Sequence, residues 1–150
     1  MILEKEYQEL KQFLLYTERL NEKISARGVD WHLDHSLKVI IQIINHLKES
    51  KPQDYRADFN WLRMGVFLIG KIPRGKGKSP DTVNHKGKIT ISELEIQLKE
   101  AHQLLQEIEQ LPPKCYVNHP VFGVLNRSQT IRFLQIHTRH HVELMNDIIQ

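Results

Sequence analysis

Cysteine is nearly absent: Cys115 stands alone in 150 residues, so no intrachain disulfide can form. Long hydrophobic runs are missing too. The longest apolar cluster, Val39 to Ile44, is broken by Gln42, well short of the roughly 20 apolar residues of a membrane helix. The first residues, Met-Ile-Leu-Glu-Lys-Glu, show no basic region, apolar core or cleavage site of a signal peptide. These absences lead us to expect a cytoplasmic protein. No repeat, no low-complexity tract and no alternating pattern long enough for a strand is present. Several familiar catalytic signatures are also missing. There is no phosphate-binding Gly-rich loop, no Gly-x-Ser-x-Gly elbow and no His-Glu-x-x-His zinc motif. Charge of one sign is scarce: the net charge is only +3. Part of that excess lies in Lys71-Ile-Pro-Arg74-Gly-Lys76-Gly-Lys78. Four cations without interleaved aromatics read as a solvated, exposed connection rather than a nucleic-acid surface.

What the chain does have is helical periodicity and histidine. Apolar residues at spacings of three and four predict a helix over residues 3–24, with Leu3, Tyr7, Leu10, Phe13, Leu14, Leu20 and Ile24 on one face. A second helix is expected from Trp31 to Lys48 and a short one from Phe59 to Ile69. A loop follows over 71–89. Thr90 and Glu93 form a capping box for a helix through Ile108, which Leu111-Pro112-Pro113 ends. Asn118 to Gly123 reads as a tight loop. Asn126 or Ser128 then caps a last helix to the C-terminus. One domain over 1–150, an all-α antiparallel four-helix bundle, is the expected architecture.

Nine histidines are an unusual number, and two of them are placed informatively. At about 100° per residue, Phe133, Leu134, Leu144, Met145 and Ile148 share one side of the last helix. His137 and His141 occupy the middle of that side, one turn apart. Buried imidazoles need partners for their ring nitrogens, and a divalent metal satisfies two at once. A third ligand should come from a facing helix. The stripe of the second helix is centred between Leu33 and Ile40. His32 lies about a quarter turn from that centre, whereas His35 and His46 point nearly away. The expected metal ligands are therefore His32, His137 and His141, with His35 in reserve. His140 falls at the edge of the last helix, and His119 reads as a loop brace or as support for a ligand. Cys115, in a loop after Pro112-Pro113-Lys114, reads as a small residue rather than a nucleophile.

A histidine early in the second helix and a His-x-x-x-His pair in the last resemble the DinB-like superfamily, which includes YfiT-type metal-dependent hydrolases and thiol S-transferases. The likeness runs from about residue 28 to the end. It is strongest to a branch with a His-Pro-x-Phe-Gly segment and a last helix bearing His-x-x-His-His. Here these are His119-Pro120-Val121-Phe122-Gly123 and His137-Thr138-Arg139-His140-His141, and the stretch from His32 to Val39 resembles the second-helix motif. The resemblance implies a four-helix bundle, often a dimer, holding zinc or nickel (manganese or iron as alternatives) on three histidines with open positions. It implies hydrolysis or thiol transfer on a small molecule. The alternative reading is a non-enzymatic, stress-related metal-binding bundle.

Overall fold

The computed structural model describes residues 2–75, 83, 87 and 89–150. Five α-helices and one hairpin follow in the order α1 (Glu4–Gln12), α2 (Val29–Glu49), α3 (Trp61–Ile69), α4 (Ile91–Glu107), β1 (Tyr116–His119), β2 (Gly123–Asn126) and α5 (Arg127–Ile149). Three of these helices, α3, α4 and α5, begin where a side chain satisfies their first amides. The Thr90 and Glu93 side chains cap each other's backbone at α4, and Asn126 and Gln129 do the same at α5. Asn60 accepts from the Arg63 amide to start α3, and Gly70 ends it at φ +72°, a left-handed conformation that glycine adopts without strain. The long helix α2 packs on both α4 and α5, and α1 lies against α5. Leu33, Leu37, Ile40 and Ile44 of α2, Leu94 and Leu105 of α4, and Leu134 and Met145 of α5 are fully enclosed between them. No helix among the described residues is long and apolar enough to cross a membrane.

The first helix is much shorter than its apolar spacing predicts. After α1 the chain tightens into a 3-10 turn over Phe13–Tyr16 and leaves helical conformation. Thr17 and Glu18 interrupt the stripe where its next apolar member should fall, so one more turn would bury nothing. Leu20 and Ile24 are exposed as a result. The segment 19–28 instead folds back, with the Val29 amide donating to the Arg19 carbonyl at 3.0 Å.

The expected tight loop before α5 is the turn of a small antiparallel hairpin, so the protein is mostly helical with a two-stranded sheet rather than strictly all-α. Val117 pairs with Leu125, and these are the two side chains that the strands bury, with Phe122 of the turn buried beside them. Arg63 of α3 fastens the hairpin down. Its Nη1 donates to Asp58 Oδ1 at 2.7 Å, to the Phe122 carbonyl at 3.0 Å and to the Val124 carbonyl at 2.8 Å, while Nη2 donates to the Asp58 carbonyl at 2.7 Å. Asp58 Oδ2 in turn accepts from the Val124 amide at 2.9 Å. These donors hold the Asp58 carboxyl below its usual pKa. Gly123 is required at this clamp for two reasons. Its φ is +71°, and a Cβ there would stand 2.1 Å from Asp58 Oδ2.

Around this buried arginine α3 is inverted: Trp61, Leu62, Met64, Leu68 and Ile69 face outward. In the connection after α3, Arg74 is exposed and its Nη1 lies 2.7 Å from Asp147 Oδ2, whereas Lys76 and Lys78 lie outside the described residues.

Candidate metal centre

The first turns of α2 and the middle of α5 face each other beside the hairpin and enclose a cavity of about 640 Å³. Its base is imidazole. One ligand atom from each of His35, His137 and His141 lies within 4.8 Å of the others, a grouping that could hold a metal ion. His137 and His141 come from α5 as its apolar stripe predicts. The member from α2 is His35.

His32 is buried next to this group but is turned into a different set of contacts. Its Nδ1 lies 2.9 Å from His141 Nδ1 and its Nε2 lies 2.9 Å from Ser25 Oγ. The periodicity of α2 prefers His32 because it measures only the direction of the apolar core. From His32 to Leu37 every residue is buried, polar ones included. His35 therefore faces neither solvent nor the leucine core but the cavity between α2 and α5. A signal for it was available in the sequence. Trp31 and His35 are one helical turn apart, and their rings stack with centroids 4.9 Å apart and planes 4° apart.

The hydrogen bonds fix which nitrogens are free. A carbonyl only accepts, so His35 Nδ1 carries the proton that it donates to the Val83 oxygen at 3.1 Å. In the neutral ring, Nε2 then holds a lone pair, and it lies 3.3 Å from His137 Nε2. Two imidazoles on one tetrahedral ion with bonds of about 2.0–2.1 Å would hold their nitrogens about 3.3–3.4 Å apart. His137 Nδ1 is enclosed and has no hydrogen-bond partner among the described residues.

Burial keeps these rings neutral. It pushes His137 and His141 well below the ordinary histidine pKa, and the neighbouring histidines push the same way. His35 is lowered by burial, which outweighs the opposing effect of its bond to Val83. His32 is brought down to about 4, again mainly by burial. Near neutral pH the lone pairs are therefore available to a metal. His140 is half-buried, with its ring edge-on to His141 and centroids 5.2 Å apart, and it stands outside the three-histidine group.

His119 also stands outside it and does the work of a loop brace. Its Nδ1 accepts from the Val121 amide at 3.2 Å and the Phe122 amide at 3.1 Å, and its ring stacks on Phe122. Burial lowers its pKa to about 4. An ordinary histidine, as in the unfolded chain, titrates near 6.5. Between those values the unfolded chain binds the proton and the folded one does not. Stability is therefore complete above about pH 6.5 and falls on acidification, by up to about 1.4 kcal/mol per pH unit for one such group. Urea denaturation of chelator-treated protein at pH 7, 6 and 5 should show this loss, and His119→Asn should make the slope shallower. Equal stability at pH 7 and 5 would contradict it.

The fold and site together define a helical protein with a buried three-histidine cluster under a largely apolar cavity. The chain belongs to the DUF1569 family, described as a protein of unknown function, whose sequence model matches residues 3–147. No curated protein and no solved structure matches it.

Proposed function

We propose that the protein is a metal-dependent enzyme of the DinB-like type that hydrolyses a small molecule or transfers a group on it to a thiol. The observation that carries this reading is three neutral imidazoles, from His35, His137 and His141, at the base of a cavity large enough for a small-molecule substrate. Three nitrogen ligands suit zinc or nickel, and they leave an ion of either kind a coordination position to spare. A purely structural zinc normally takes four protein ligands, which favours chemistry over a structural role. When bound, such an ion lowers the pKa of water or of a thiol toward neutrality.

The chain's own residues set up that chemistry. His35 is oriented by Val83 and by the Trp31 stack. His141 is oriented by His32: if His141 Nδ1–H donates to His32 Nδ1, His141 keeps Nε2 free as a ligand. Phe122 and Phe133, against which the His119 ring is packed, wall off one side of the cavity. The homodimer that the resemblance implies would find its apolar face on α3, whose one charged residue, Arg63, is turned inward and paired.

Elemental analysis of tag-free protein tests the reading directly. About one zinc or nickel per chain is expected. Hydrolysis or thiol-transfer turnover restored to chelated protein by that metal should follow. Protein that takes up no divalent ion above pH 7 would sink the proposal.

A further inference from the structure

The proposed tautomers have an effect at the mouth of the cavity. With His141 Nε2 reserved for a ligand bond, its Nδ1–H donates to His32, and His32 must pass its own proton on through Nε2–H to Ser25 Oγ. Ser25 Oγ also accepts from the Arg27 amide at 3.0 Å. The hydroxyl thus accepts twice, and its own proton remains to be given to something else. Two residues along, the Arg27 guanidinium lies 5.5 Å from the centre of the Trp31 ring, with no ion pair among the described residues.

Ser25 and Arg27 both line the cavity. Its described lining contains no aspartate, glutamate or lysine. The other arginine there, Arg74, is already paired with Asp147. Among the described residues, the mouth therefore offers hydrogen-bond donors and one unpaired positive charge, with no acid to receive a cation. Deeper in, Val39, Ile43, Phe122, Phe133 and Leu144 make the wall apolar.

We infer that the cavity selects amphipathic carboxylates, with the apolar body along the Ile43–Phe133 wall and the carboxylate held by Arg27 and the Ser25 hydroxyl. A guanidinium matches a carboxylate through two parallel N–H donors, which neither an alcohol nor an amine can use. This inference rests on the proposed metal-site reading, because that reading fixes the direction of the Ser25 chain. Arg27 can nonetheless be tested without any metal.

Octanoate, octyl phosphate, octanol and octylamine are the probes, titrated calorimetrically into chelated and zinc-loaded protein. Octanoate should bind both forms, at least about tenfold more tightly than octanol, and octylamine should bind least. Arg27→Gln should weaken octanoate by about tenfold in both forms and leave octanol unchanged, with Arg27→Lys in between. Octyl phosphate binding more tightly than octanoate would replace a carboxylate by a phosphate as the preferred end. Octanoate binding that vanishes on chelation and ignores Arg27→Gln would place the anion on the metal instead. That would overturn this inference and leave the proposed function standing. Zinc failing to bind while the Arg27 effect persists would overturn the proposed function and, of this inference, leave standing the Arg27 contact and remove the assigned role of Ser25.

Discussion

Replacing His35 with alanine is expected to abolish tight divalent-metal binding, whereas replacing His32 should weaken it by only about 10- to 100-fold, the range typical of groups that orient a ligand. His35 Nε2 is the lone pair facing His137, while both nitrogens of His32 are engaged by His141 and Ser25. His137→Ala and His141→Ala should behave like His35→Ala, and His140→Ala should change little. Competition with a chromophoric chelator at pH 7.5, on tag-free protein, measures all five. Retained tight binding in His35→Ala together with its loss in His32→Ala would return the ligand set to the one that helical periodicity prefers.

The largest stability effect is expected at Arg63. Truncation to alanine removes four donor contacts and leaves the Phe122 and Val124 carbonyls and the Asp58 carboxylate to be satisfied otherwise. Asp58 is exposed and water can take the place of Arg63 there, so the cost is chiefly that of leaving the Phe122 and Val124 carbonyls without a donor, about 1–3 kcal/mol each. For a chain of this size that corresponds to a fall in Tm of roughly 10 °C. Arg63→Lys should recover little of it, since an ammonium cannot span four acceptors on two sides of a planar fork. Thermal denaturation in the presence of chelator checks this, and a loss below about 1 kcal/mol would contradict the clamp. Because the hairpin supplies Phe122 to the cavity wall, the same variant should also weaken octanoate binding.

The helices were legible because each buries a face repeated over several turns. The pair His137 and His141 was legible for the same reason, since both stand on such a face. His35 was not, because an apolar stripe reports where leucines go and is silent about a face that a helix turns to a polar cavity. Asp34, also on α2, illustrates the point. It is fully buried, yet Lys38 and Gln97 each donate to it at 2.8 Å. The hairpin escaped because four-residue strands hold two alternations at most, too few for a period to emerge. The early end of α1 is visible in retrospect at Thr17 and Glu18. The His-Pro-x-Phe-Gly segment, by contrast, is legible as a motif but not in its cause. Its histidine braces a turn, its phenylalanine walls the cavity, and its glycine makes room for Asp58.

His35 and His137 are 102 residues apart in the chain. An ion gripped by both, and by His141, is a removable cross-link between α2 and the C-terminal helix. The unfolded chain has no such preformed grip, so free metal at a hundred times its dissociation constant adds about 2.7 kcal/mol to the folded state. If the proposed ion binds, metal-loaded protein would resist proteases longer than the same protein held in chelator.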